Sequence, residues 1–352
     1  MENVKVILCG LGAMGSGMAK MLLDKKGVEI VGAIDSYEGK IGKDLGEVLN
    51  VGKELNIKVS GDFKNTIKDT KADLVLLAID SFVKNVFPYI KHIVENKMNC
   101  ITIAEEMAYP YTINKELSEE MDRLAKANGV TILGTGVNPG FVLDTMIITL
   151  SAACRKVHSI YASRVNDLSP FGATVMRTQG VGTTVEEFES GIKDGSIVGH
   201  VGFQQSIPMI AKALGIELDE IVETREPIIS NTHRETPYVT VEPGMVAGCA
   251  HIGYGMKDGK AVITLEHPQQ IHPESEGVDT GDYIDIKGDP DLHLSIKPET
   301  PGGIGTIALA VNMIPQVVAS RAGLKTMMDL PLPHAIENCF ANQVAYYKEG
   351  EF

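Results

Sequence analysis

Two side chains that can move protons stand together at Glu105-Glu106, directly after the apolar run Asn99-Cys100-Ile101-Thr102-Ile103-Ala104. Adjacent carboxylates repel, so at least one must be solvated or share a proton, and acids of this kind are candidates for general-base work. The plain alternative is that one of them caps the next helix or pairs with a lysine. Nearer the N-terminus, Gly10-Leu11-Gly12-Ala13-Met14-Gly15 spaces three glycines as G-x-G-x-x-G between an apolar strand and a helical stretch, Ser16 to Leu23. That spacing suits a dinucleotide pyrophosphate. Gly10 permits the tight turn, Gly12 lets the backbone approach the phosphates, and Gly15 lets the helix pack closely. The helix N-terminus, with Leu11, Ala13 and Met14 around it, then offers N–H groups and a positive dipole end. A second apolar run, Glu29 to Ile34, ends in Asp35, an acid placed to accept from the adenosine ribose hydroxyls. The expected cofactor is therefore NAD. Lys40 and Lys43, in the glycine-rich loop that follows, would welcome a 2′-phosphate or else be solvated surface lysines, so NADP is expected to be accepted as well.

In open α/β sheets ligands gather beyond the carboxyl ends of the strands. On that argument Ala78 and Asp80, which close the run Asp73 to Ile79, join the cofactor candidates. A carboxylate near the nicotinamide, from Glu105 or Glu106, can take a proton from an ammonium or activate a water. Asn138 and Phe141 stand in the turn-rich stretch Gly136-Val137-Asn138-Pro139-Gly140-Phe141, where an asparagine held between turn formers can bond a carboxamide or a substrate nitrogen. Asp144 either faces the site or is an acid favoured by a helix N-terminus. Arg164 and Arg177 each offer a two-pronged donor to a carboxylate, as an amino-acid substrate would require. Five of the histidines, His200, His233, His251, His267 and His272, are scattered without metal-ligand spacing, His267 and His272 in a proline-rich loop; no metal is expected.

The elements that must position these residues alternate. Apolar runs followed by helical stretches, up to about residue 148, predict a doubly wound, mostly parallel Rossmann sheet. Residues 149–300 read as a second, α+β domain for substrate binding or oligomerisation. Short strands, the first of them Pro237 to Val241, and the turns at Lys257-Asp258-Gly259-Lys260 and Gly288-Asp289-Pro290-Asp291 give it a largely antiparallel sheet, with one face open to a partner or substrate. Residues 301–352 contain an apolar helix, Ile304 to Ala319, interrupted near Pro315, and pack back on the first domain. With 44% hydrophobic and 22% charged residues the 352-residue chain is ordinary for a soluble protein, and its net charge of −14 argues against a nucleic-acid partner. No stretch comes near the length of a membrane span, and no signal for secretion precedes the first strand. Five widely separated cysteines fit reduced thiols, so a cytoplasmic enzyme is expected, and from the open sheet face a homodimer is expected.

The N-terminal half resembles the nucleotide domain of dihydrodipicolinate reductases through Gly10 to Gly15, Asp35 and Gly42-Lys43-Asp44-Leu45-Gly46. The His-His pair followed by lysine, and the Asp-Ala-Pro-Ser-Gly-Thr run, of those reductases are absent. Over essentially the whole chain the sequence resembles the 2,4-diaminopentanoate dehydrogenase family instead. The resemblance lies in Gly134 to Phe141, Arg177-Thr178-Gln179-Gly180-Val181-Gly182, Asn312-Met313-Ile314-Pro315, Gly323-Leu324 and Asp329-Leu330-Pro331. That family belongs to ornithine degradation and is related to amine dehydrogenases with a glutamate at the position of Glu105 or Glu106. The resemblance implies oxidative deamination of 2,4-diaminopentanoate at C4, giving 2-amino-4-oxopentanoate, ammonia and NAD(P)H. In that setting Glu105 or Glu106 is the base, Asn138 and Phe141 shape the pocket, Arg164 or Arg177 holds the carboxylate and Asp144 the 2-ammonium. The competing expectations are a reductase of the dihydrodipicolinate type with an altered substrate, and a non-catalytic nucleotide sensor.

Overall fold

The opening apolar run forms β1 (Val4–Cys9), buried at every position except Lys5. The glycine loop carries the chain from β1 into α1 (Ala13–Leu23). There follow β2 (Val28–Ile34), α2 (Leu45–Leu49), β3 (Val59–Ser60), α3 (Phe63–Asp69), β4 (Leu74–Leu77), α4 (Val83–Glu95), β5 (Asn99–Thr102), α5 (Lys115–Asn128) and β6 (Thr131–Gly134). All of β4 and β6 is buried, as expected of parallel strands covered on both faces. The computed structural model describes residues 2–350 and divides into two units. The first comprises the residues up to Phe141 together with those from Pro301 on; the second is Val142–Thr300. The first boundary thus falls before 148, because the next helix, α6 (Thr145–Ser151), belongs to the second unit.

The second unit continues with β7 (Lys156–Asp167), α7 (Ala173–Thr178), α8 (Val185–Asp194), α9 (Phe203–Leu214), β8 (Glu220–Ile229), β9 (Arg234–Glu235), β10 (Thr240–Val241), β11 (Val246–Lys257), β12 (Lys260–Gln270), β13 (Gly281–Asp289) and β14 (Leu292–Ile296). Its six-stranded sheet runs β14-β13-β7-β12-β11-β8, antiparallel except for the parallel pair β7–β12. The two turn signals are hairpins, β11–β12 and β13–β14. Two expectations change. His267 lies in β12, not in a loop. Pro268 misleads there: it has no N–H for a ladder, and the β12–β7 pairing is interrupted between Glu266 and Gln269, where it sits. The strand expected over Pro237 to Val241 shrinks to Thr240–Val241, paired only with β9.

The chain then returns to the first unit with α10 (Gly302–Asn312), α11 (Ile314–Ala319), β15 (Gly323–Lys325) and α12 (Phe340–Glu349). The helix breaks at Met313, with Pro315 in the first turn of α11, where its missing N–H does no harm. By length and composition alone Gly302–Ala319 is apolar enough to cross a membrane, which corrects the expectation that no stretch comes near that length; half of it is buried. α10 lies against α1, where a Cβ on Gly17 would stand 2.2 Å from Ile307. β15 adds to β6, completing a seven-stranded, all-parallel sheet in the order β15-β6-β5-β4-β1-β2-β3.

Candidate active site

The glycine loop has the geometry its spacing predicts. Gly10 takes a φ of +90°, and a Cβ there would lie 2.3 Å from the Ala78 carbonyl oxygen. A Cβ on Gly15 would lie 1.8 Å from the Gly10 oxygen, so α1 sits directly on the turn. At Gly12 nothing lies within 4 Å of the Cβ position, and no side chain caps the helix. The first turn of α1 is thus left without a side-chain cap and with room beside Gly12, which an anion could use.

A cavity of about 570 Å³ lies beside this loop, lined by Gly10, Gly12, Asp35, Ala78 and Asp80 among the expected residues. Leu11, Ala13, Met14 and Gly15 do not line it. The Leu11 N–H donates to Asp35 Oδ2 at 2.8 Å, and its carbonyl accepts from Ser16 Oγ and Lys40 Nζ. The acid thus braces the glycine loop from behind. Asp35 also accepts from the Tyr37 amide at 2.8 Å and from Lys40 Nζ at 3.0 Å. Burial alone would raise its carboxyl, but the Tyr37 and Leu11 N–H groups and the Lys40 ammonium hold it below the ordinary value. Phe63 and Tyr89, in edge-to-face contact at 4.8 Å, wall the cavity further along. Sequence pattern carried no sign of that pair, because it joins two different helices. The open Gly12 position, the uncapped helix and the aromatic wall fit a dinucleotide; bound there, the nicotinamide would supply a hydride acceptor.

The two glutamates separate. Both lie in a 3₁₀ turn, Glu105–Ala108, that follows β5. Glu106 is taken up by the fold. Its Oε2 accepts from the Val83 amide at 2.8 Å, capping α4, and from Asn114 Nδ2, while its own N–H donates to the Ser81 carbonyl. Glu105 is half-buried. Burial pushes its carboxyl above the ordinary carboxylate value, the charges of Asp80 and Glu106 push the same way, and a hydrogen bond with the Ser81 side chain opposes them. Asp80 is held by the Phe82 amide at 2.9 Å and by Asn85. At the end of β6, the loop that carries Asn138 and Phe141 includes a cis Asn138–Pro139 bond. Thr306 of α10 anchors it, accepting from the Val137 amide at 3.1 Å. Thr306 is a contributor missed in sequence, a polar residue in the middle of a largely apolar helix.

The second unit holds the remaining candidates. Arg164 is buried; it forms an ion pair of 2.5 Å with Asp282 on β13 and donates to the Thr300 carbonyl. On the same face of the sheet His267 Nε2 meets Asn166 Oδ1 at 2.9 Å. Burial, then the neighbouring His200 and Arg164, depress His267 far enough to keep it neutral. Asp144 is fully buried at the N-terminus of α6, accepting from the Thr145 amide and from Ser206 Oγ at 2.9 Å. Arg177 is exposed in α7 beside a small cavity of about 180 Å³.

An all-parallel sheet with this strand order, a glycine loop of this shape and a perturbed carboxyl at a strand end define a Rossmann-type, nicotinamide-dependent oxidoreductase. Residues 141–346 match the family model for the 2,4-diaminopentanoate dehydrogenase C-terminal domain, and residues 4–103 that for the dihydrodipicolinate reductase N-terminus. The chain is 50% identical over 348 residues to the 2,4-diaminopentanoate dehydrogenase of Acetoanaerobium sticklandii, an alignment that covers 98% of each. It is also 23% identical over 355 residues to an amine dehydrogenase of Streptomyces virginiae, covering 95% of this chain and 98% of the relative. A solved structure of amine dehydrogenase from Mycobacterium smegmatis superposes with a TM-score of 0.84 at 29% identity, covering 96% of this chain and 98% of the other. The chain belongs to the 2,4-diaminopentanoate dehydrogenase family.

Proposed function

We propose that this protein oxidatively deaminates 2,4-diaminopentanoate at C4, giving 2-amino-4-oxopentanoate and ammonia while reducing NAD, and that NADP serves as well. The observation that carries the reading is Glu105, a half-buried carboxyl with a raised affinity for protons, at the same carboxyl end of the parallel sheet as the glycine loop. An ammonium cannot give up hydride, so the carboxylate first takes a proton from the C4 ammonium. A bound oxidised nicotinamide would supply the acceptor for the C4 hydride, with the substrate's nitrogen lone pair closing the C=N bond. Glu105 relays its proton to solvent and takes another from the water that adds to C4. The C–N bond breaks to release ammonia and leaves the ketone. The net change consumes one water and releases NAD(P)H, an ammonium ion and a proton.

An arginine, Arg164 or Arg177, is assigned to the substrate carboxylate. Two of the five N–H groups of Arg164 are used by Asp282 and Thr300. The test follows NAD⁺ and NADP⁺ reduction with 2,4-diaminopentanoate, other diamino acids and simple amines at alkaline pH. Glu105→Gln should lower kcat by roughly 10²- to 10⁴-fold with NADH binding kept. Glu106→Gln should keep most of the turnover and lose roughly 1 kcal/mol of stability, as a lost helix cap does. Nucleotide binding without turnover of any amine would overturn the proposal.

A further inference from the structure

We infer that Lys40, with Ser36 beside it, is the residue that lets the cofactor cavity accept a 2′-phosphate, and that Asp35 is a brace rather than the selector of NAD. The inference rests on the reading that this cavity holds a dinucleotide. An acid at the end of the second strand selects NAD when its carboxylate faces the ribose, accepting from the hydroxyls and repelling a phosphate. Here Asp35 lines the cavity, but its carboxylate is engaged by the loop around it. Asp35 is 9% exposed, its Oδ2 takes both the Leu11 amide and the Lys40 ammonium, and its Oδ1 takes the Tyr37 amide. The negative charge that would reject a 2′-phosphate is therefore paired with an ammonium 3.0 Å away.

The Lys40 head group is also pinned from a second side, by the Leu11 carbonyl at 2.9 Å, and it lies 5.7 Å from the centre of the Tyr37 ring. It lines the same cavity as Ser36, whose side chain is exposed. An ammonium fixed at the wall and an exposed hydroxyl on the same cavity lining offer donors to a phosphate, while a bare 2′-hydroxyl loses little there. Lys43, the other lysine of this loop, has no part in it. It pairs with Glu47 on α2 and does not line the cavity.

The experiment measures dissociation constants for NADH and NADPH by nucleotide fluorescence, without amine present, on the wild-type protein and on Lys40→Ala, Lys40→Arg, Ser36→Ala and Lys43→Ala. A charge-assisted bond to phosphate predicts that Lys40→Ala weakens NADPH by roughly 10- to 100-fold and NADH by less than about threefold. Lys40→Arg should keep NADPH binding, Ser36→Ala should weaken NADPH by a smaller factor, and Lys43→Ala should change neither. Equal weakening of both nucleotides in Lys40→Ala would make Lys40 a part of the loop scaffold only and overturn the inference. So would a Lys40→Arg variant that loses NADPH as Lys40→Ala does. Amine turnover with NAD in the wild-type protein separates the two levels: if it persists while the NADPH-to-NADH ratio ignores Lys40, the dehydrogenase reading stands and the role of Lys40 falls. If neither nucleotide binds, both fall together.

Discussion

Glu105 sits where its ionisation is opposed first by burial and then by Asp80 and Glu106. The catalytic consequence is an acidic limb in the pH profile of kcat/KM, lying above the ordinary glutamate value of about 4.3, because only the carboxylate accepts a proton. A profile from pH 5 to 10 that kept its plateau down to the ordinary value would remove Glu105 from that role. The stability consequence has the opposite sense. A folded-state pKa above the unfolded one means that the native protein holds the proton longer. Stability is then full below about 4.3 and is lost as pH rises through the folded value. Glu105→Gln should therefore melt at a higher temperature than wild type near neutral pH, even as its turnover falls. The pair of acids was legible in the sequence, but which one the fold takes up was not: a 3₁₀ turn sends neighbours in different directions, and only the fold shows Glu106 facing the Val83 amide. Asp35 is the same case. Its place at the end of β2 was visible, whereas its direction depends on how residues 36–40 bring Lys40 back over it.

At the scale of elements, the parallel strands could be read because burial on both faces leaves continuous apolar runs. β8 could not. It is an edge strand, and Glu220-Ile221-Val222-Glu223-Thr224-Arg225-Glu226-Pro227 carries the charges and the proline that edges tolerate. Those charges reach inward as well. Glu223 of β8 meets His251 Nε2 of β11 at 2.9 Å and also Arg225 and Gln204, while the His200 amide donates to His251 Nδ1. His200 is pushed down to about 3, by burial and then by His251, and burial lowers His251 and His267 too. All three are neutral in the fold and charge readily once it opens, so stability is lost as pH falls below about 6.5. Thermal melts between pH 7 and 5 should show that loss, and His200→Asn should flatten it. In the first unit, Thr306→Val keeps the shape of the side chain but leaves the Val137 amide without its acceptor. A loss of about 1–3 kcal/mol in urea unfolding is expected, with a raised KM for the amine as the Asn138 loop loosens. An unchanged KM would separate the anchor from the site.

The whole chain is one unit interrupted by another. The sheet that carries the glycine loop is finished only by β15, and α1 is covered by α10, both encoded after the second unit has ended. The two-domain alternation was visible in sequence, and so was the return of the last segment. The added strand was not, because three residues, Gly323–Lys325, are too few to make a pattern. A fragment ending at Phe141 should accordingly bind a hydrophobic dye and melt without cooperativity, since its β6 edge and the Gly17 face of α1 would lie bare. A sharp melt for that fragment would show that the tail is dispensable. The same arrangement sets a timetable on the ribosome. At about 5–20 residues per second, the ~190 residues between β6 and β15 take roughly 10–40 seconds to emerge. For that interval the nascent nucleotide-binding sheet carries an open edge while the whole second unit is made beside it, so slow decoding within Val142–Thr300 prolongs its exposure to chaperones and to aggregation.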